Sequence, residues 1–154
     1  MLNTVFAILL AVTSFSAFFR QEKQSSLLAQ PQHSEGVLEY RSPDYLRWEY
    51  TGPQPLVWEL DGDKGNMNPH MKVVVALIRQ AVSGDFDEAE KSFIVERNGD
   101  NVTLKPRKRE LQRMFRQIAI TLRHGTEIAE QVVISEANGD VTTIRFYDVK
   151  MLQQ

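Results

Sequence analysis

Apolar and polar residues alternate with a period of two along much of this chain. In Gly36-Val37-Leu38-Glu39-Tyr40 the alternation puts Leu38 and Tyr40 on one side, and in Tyr45 to Tyr50 it puts Leu46, Trp48 and Tyr50 on one side. Leu56 to Leu60 alternates again, with its bulk in Leu56, Val57 and Trp58. Period two predicts strands. Ser42-Pro43-Asp44, Gly52-Pro53 and Asp61-Gly62-Asp63-Lys64-Gly65 supply the turns between and after them. At Asn68-Pro69 the period changes. Asparagine suits a helix N-cap and proline the first helical position. Val74, Leu77, Ile78, Ala81 and Val82 then fall on one helical stripe, which Ser83-Gly84 ends. Asp85 to Lys91 is short and acidic around Phe86.

The second half predicts antiparallel sheet. Ser92–Arg97 and Val102–Lys105 flank Asn98-Gly99-Asp100, and Ile128–Ser135 and Val141–Val149 flank Asn138-Gly139-Asp140. Both are hairpin signals. Between them, Met114 to Leu122 alternates through Met114, Ile118, Ile120 and Leu122, and His124-Gly125 turns the chain. Consecutive hairpins with few helices predict an α+β fold with a mostly antiparallel meander.

The N-terminus admits three readings. Residues 1–19 carry no charge, and Val5 to Val12 is almost continuously apolar. A signal peptide would place Ser14 and Ser16 before a cut, but no Lys or Arg precedes the apolar run. A membrane span would need about 20 apolar residues, and polar residues interrupt this one. In the third reading, Phe6, Leu9, Leu10, Thr13 and Ala17 form the apolar stripe of a first helix.

Composition narrows the chemistry. A length of 154 residues fits one domain, 1–154. A net charge of -2 does not favour nucleic acid, and the absence of cysteine excludes disulfides, thiolate metal sites and a cysteine nucleophile. His33, His70 and His124 lack helical metal-site spacing. The Asp61 turn departs from a calcium loop, with Asn66 and Lys72 at the sixth and twelfth places. Neither Gly-x-Ser-x-Gly nor a Gly-rich phosphate loop occurs. Glu39, Glu49 and Glu59 alternate with the apolar face and should point away from it. A binding protein without enzymatic activity, metal or cofactor is therefore expected. One basic cluster stands out: Lys105, Arg107, Lys108 and Arg109, with Arg113 and Arg116 beyond. It reads either as a solvated strand end or as contact with headgroups or an acidic protein. The bulky face of the first strands reads either as a filled core or as the lining of a cavity for a greasy ligand.

Several segments together resemble the outer-membrane lipoprotein carrier (LolA) family. They are Phe19-Arg20-Gln21-Glu22-Lys23, Ser34-Glu35-Gly36, Arg41-Ser42-Pro43-Asp44-Tyr45-Leu46-Arg47-Trp48-Glu49-Tyr50, Asp61-Gly62-Asp63, Leu104-Lys105-Pro106 and the Asn138-Gly139-Asp140 hairpin ending in Ile144-Arg145-Phe146. The resemblance runs from about Phe15 to Lys150. It implies a strongly curved, incomplete β-barrel with helices covering the concave apolar face. It favours Val5 to Phe19 as the first helix and residues 68–91 as a helical lid segment. The implied function is that of a periplasmic carrier that holds the acyl chains of lipoproteins and shuttles them between membranes. The implied cavity is lined by Leu38, Tyr40, Leu46, Trp48, Tyr50, Leu56, Trp58, Val74, Leu77, Ile78, Ile118 and Ile120. Arg41 matches the family's lid-holding arginine, although Ser42 stands between it and Pro43. Implied partners are acylated lipoproteins, an inner-membrane lipoprotein-releasing ABC transporter and an outer-membrane lipoprotein acceptor, met by a monomer. Where the family carries another strand, Asp61–His70 is short, so a smaller sheet and a shallower cavity are expected. A membrane-held lipid receptor or sensor of this fold is the alternative, and a lipid- or glycan-acting enzyme ranks below it.

Overall fold

The computed structural model describes residues 14–41, 44–62, 64–83, 87–125 and 128–152, with backbone alone at 77–83, 88 and 152. Ten strands succeed one another in it: β1 (Ser14–Gln24), β2 (Gln32–Arg41), β3 (Tyr45–Gly52), β4 (Leu56–Asp61), β5 (Lys64–Gly65), β6 (Phe93–Asn98), β7 (Asn101–Pro106), β8 (Phe115–Leu122), β9 (Ala129–Glu136) and β10 (Val141–Leu152). Helix α1 (Pro69–Ser83) and the short α2 (Asp87–Glu90) separate β5 from β6, and α3 (Arg109–Gln112) separates β7 from β8. All strands join one antiparallel sheet in the order β5-β4-β3-β2-β1-β10-β9-β8-β7-β6. The sheet is not closed: β5 and β6 end it without pairing with each other.

The first element corrects the sequence expectation. Residues 14–19, assigned to the end of a helix from Val5, are instead the start of β1, near the middle of the sheet. Residues 1–13 lie outside the described residues. Phe15, Ala17 and Phe19 point into the core, while Phe18 points outward, 44% exposed, and stacks on Tyr147 of β10. Apolar side chains on both faces erase the alternation that marks a half-buried strand. Opposite Ala17, β10 carries a bulge where Asp148 adopts φ 52. The bulge changes the phase of β10, so Ile144 and Phe146 face inward before it and Val149 lines the interior after it.

The remaining elements follow from their local chemistry. The Asn98-Gly99-Asp100 and Asn138-Gly139-Asp140 turns close the β6–β7 and β9–β10 hairpins with Gly99 and Gly139 at positive φ. The Asn68 side-chain oxygen accepts from the Met71 backbone N–H at 2.9 Å and so caps α1 as expected. Between Asp61 and His70 stands β5, two residues long. Beyond it, Asn66 continues the pairing with its side chain. Its Oδ1 accepts from the Glu59 N–H at 2.8 Å, and its Nδ2 donates to the Val57 carbonyl at 3.0 Å.

Candidate functional site

The inner face of the sheet is apolar across all its longer strands. Leu38 on β2, Leu46 and Trp48 on β3, and Ile118 and Ile120 on β8 are fully buried there, and Val74 of α1 is buried with them. An aromatic cluster occupies the β1–β4 half. The Phe19 and Trp48 rings lie 4.4 Å apart, and Phe146 meets Trp48 edge-on at 6.2 Å. Tyr50 stands at right angles to Phe19 at 5.4 Å and to Trp58 at 5.5 Å. Tyr40 packs on Phe15 at 5.5 Å. Among the described residues, the Trp48 Nε1–H is the buried side-chain group that finds no hydrogen-bond acceptor, although the Tyr50 hydroxyl is close enough to feel it. That hydroxyl donates to Gln21 Oε1 at 2.9 Å. Burial pushes the Tyr50 phenol up from its ordinary value.

Among the described residues, the apolar side chains of the inner face pack against one another. The space between Phe15, Ala17, Leu38, Ala129, Phe146 and Val149 is about 10 Å³, room for about one water molecule and not for an acyl chain. The larger space lies at the mouth, at one end of β1–β4. There an open cleft of about 490 Å³ is bordered by Tyr50, Trp58 and Leu56 on one side and by Gln21, Lys23, Gln32 and Ser34 on the other. Leu56 is 46% exposed and Trp58 half-buried. The expected lining residues therefore divide. Leu38, Leu46, Trp48, Val74, Ile118 and Ile120 are packed core, with half-buried Tyr40 against them; Tyr50, Leu56 and Trp58 reach the mouth; the side chains of Leu77 and Ile78 lie outside the described residues. Sequence reading missed Phe15, Ala17 and Phe19, whose inward positions alternate along β1.

The charged candidates are also placed. Arg41 is exposed, and its guanidinium is held by Glu39 on the same strand, with Nη2 to Oε1 at 2.6 Å. On the outer face Arg47 likewise pairs with Glu49 at 3.0 Å, with Glu59 at 4.0 Å from its Nε. The three carboxylates expected to point outward do so. In the basic cluster, Lys105, Lys108 and Arg109 are exposed. Arg107 is exposed as well, and its Nε donates to the Glu90 and Phe93 carbonyls at 3.1 Å each, which ties down the α2–β6 corner. The histidines are scattered: His33 lies 3.9 Å from Glu22, His70 stands edge-on to Phe115, and His124 lies 2.8 Å from Asp100. Among the described residues no group of three or more His, Asp or Glu could hold a metal ion, and no helix is long and apolar enough to cross a membrane.

Comparison with known proteins matches this architecture. The sequence pattern of the family described as outer membrane lipoprotein carrier protein LolA matches residues 11–154. The fold is similar to that of MucB in complex with MucA(peri), with TM-score 0.55 and 11% identity, over 98% of this chain and 55% of that one. It is similar to the Pseudomonas aeruginosa MucA/MucB complex, with TM-score 0.56 and 11% identity, over 99% of this chain and 58% of that one. It is also similar to the LolA superfamily protein NE2245 from Nitrosomonas europaea, with TM-score 0.52 and 8% identity, over 96% and 93% of the two chains. This chain thus spans little more than half of the MucB chains it matches. No curated protein matches it in sequence.

Proposed function

Because this chain belongs to the outer membrane lipoprotein carrier family, we propose that it binds the acyl chains of lipoproteins on the inner face of its sheet and carries them across the periplasm. The observation that carries this reading is an open sheet with an apolar inner face that surfaces at the mouth as Leu56 and Trp58. Each methylene moved from water into such a site contributes about 0.8 kcal/mol, so one long chain contributes on the order of 10 kcal/mol. Contacts of this kind have no fixed direction, which suits handing a chain on to a second apolar site. An open apolar hollow would expose a large greasy patch, so the carrier is proposed to stay packed until a chain enters. Loading then begins at the mouth and requires α1 and α2 to move off the core. Arg41 is proposed to bias this opening, and the exposed Lys105, Lys108 and Arg109 to meet anionic partners. Loading by an inner-membrane lipoprotein-releasing ABC transporter and delivery to an outer-membrane acceptor complete the proposal. No bond-breaking step is part of it: the role is binding without catalysis.

The test is native mass spectrometry of the protein isolated from its own periplasm. An acylated polypeptide bound with one-to-one stoichiometry is the expected result. Co-purification of unacylated polypeptides alone would sink the carrier reading. It would favour instead the binding of a protein partner, as in the complex of MucB with MucA(peri).

A further inference from the structure

The outer face of the sheet carries a feature that acyl-chain binding does not use. Arg20 of β1 and Arg145 of β10 are directly opposite one another across the ladder. Both are exposed. Like charges in this position repel and destabilise a sheet. Neither guanidinium is ion-paired among the described residues. Arg20 lies over the Tyr147 ring at 5.3 Å, and Arg145 spends its Nε on Gln131 Oε1 at 3.0 Å. The remaining guanidinium N–H donors are unspent. Glu35 lies opposite Arg20 on β2, and Glu130 borders the same groove as Arg145, but neither carboxylate pairs with either arginine. The two arginines, with Gln131, Thr121 and Tyr147, line an open groove of about 460 Å³. Beside it the exposed Phe18 ring stacks on Tyr147 at 5.8 Å.

We infer that this groove binds a phosphate group between Arg20 and Arg145. A guanidinium fork matches phosphate oxygens in a bidentate manner, and one shared anion would cancel the repulsion between the two. The adjoining Phe18–Tyr147 pair offers an apolar surface to whatever bears the phosphate, which a phospholipid headgroup would use and free phosphate would not. The site lies on the opposite face from the proposed acyl-chain site and does not depend on it.

The test follows the Arg20 and Arg145 Nε–Hε signals by nuclear magnetic resonance. One arm adds inorganic phosphate; the other adds vesicles of phosphatidylglycerol against vesicles of phosphatidylcholine. Shifts of both arginine signals are expected, with binding weakened roughly tenfold or more in Arg20→Gln and Arg145→Gln. Phosphatidylglycerol acting well below the concentration of free phosphate identifies a headgroup as the source; equal response to both identifies phosphate itself. Absence of any shift in both arms, or binding that survives the double variant and is lost instead in a Lys105→Gln, Lys108→Gln, Arg109→Gln variant, overturns the inference.

Discussion

The ring of Phe19 rests against that of Trp48, centroids 4.4 Å apart, and joins β1 to β3 across the middle of the inner face. Both side chains are fully buried. Truncating Phe19→Ala removes this contact and opens a void beside an indole that already lacks an acceptor. The expected loss is about 3–5 kcal/mol, read as a lower midpoint in urea unfolding with an unchanged slope. Trp48→Phe should cost less, because it also deletes the unpaired N–H. A Phe19→Ala protein as stable as wild type would show that β1 does not form the centre of the core.

Gly36 faces Phe19 from β2. A Cβ there would run into the Glu49 carbonyl oxygen on β3 and meet the Phe19 ring at 2.6 Å. The glycine is needed for space and not for an unusual φ. Gly36→Ala should therefore cost about 1–3 kcal/mol by overpacking, with Gly62→Ala, where nothing lies within 4 Å but φ is 65, as a control strained by backbone alone. Thermal melts of the two variants separate crowding from backbone strain.

These two positions also show what the chain discloses and what it hides. Strands β2 to β4 and both Asn-Gly-Asp hairpins are legible because turn residues and a single buried face mark them. The α1 cap is legible because Asn68 and Pro69 act within a few residues of themselves. β1 is hidden because Phe18 is apolar on the outer face, so the strand reads as a helix or a leader. The packed inner face is hidden for another reason. Whether Leu38 and Trp48 line a hollow or touch Phe19 and Phe146 depends on partners far along the chain. Residue type announces an apolar face but not the distance to whatever covers it. Arg107 is similar: its sequence neighbours suggest a free basic cluster, while its Nε–H is shared between two carbonyls that only the fold brings to it.

Asn66 acts as a substitute strand. Its amide holds the Glu59 N–H and the Val57 carbonyl of β4, where β5 is too short to reach. Asn66→Ala should lose about 1–2 kcal/mol from the two bonds and bare part of the β4 edge. Exposed edges recruit further strands. Concentration-dependent self-association in sedimentation velocity is expected for the variant and not for the parent. A strictly monomeric variant would show that the side chain does not guard this edge.

Tyr50 makes stability depend on alkaline pH. Burial raises its phenol above the ordinary 10.0, because the phenolate would lose water. The folded chain therefore holds its proton more tightly than the unfolded chain does. This contribution is complete below pH 10 and fades as pH climbs through the folded value. Tyr50→Phe should flatten the loss of stability above about pH 10. It should also lower stability at neutral pH by about 1 kcal/mol through the lost bond to Gln21. Half-buried Tyr45 shifts in the same direction, chiefly by burial and then by the Glu59 carboxylate. The difference between the wild-type and Tyr50→Phe stability profiles therefore isolates Tyr50. A stability profile of the same slope in both proteins would remove Tyr50 as the cause.

Arg41 and Glu39 pair on one exposed stretch of β2, so the pair contributes under about 1 kcal/mol to stability. That small contribution makes the position useful. Arg41→Leu should leave the melting temperature nearly unchanged, and any effect on lipid handling then belongs to the switch and not to folding. If Arg41 biases the carrier towards its shut state, the variant should take up acylated peptide faster and release it more slowly. Stopped-flow Trp fluorescence can follow this, because Trp58 borders the mouth and a chain entering there changes its surroundings. Glu39→Gln serves as the paired test. It frees the guanidinium without removing it, and should shift loading in the direction opposite to Arg41→Leu if Glu39 competes for the arginine. Loading and release rates identical in all three proteins would take Arg41 out of the mechanism and leave Arg107, which already holds the α2 corner, as the arginine to examine next.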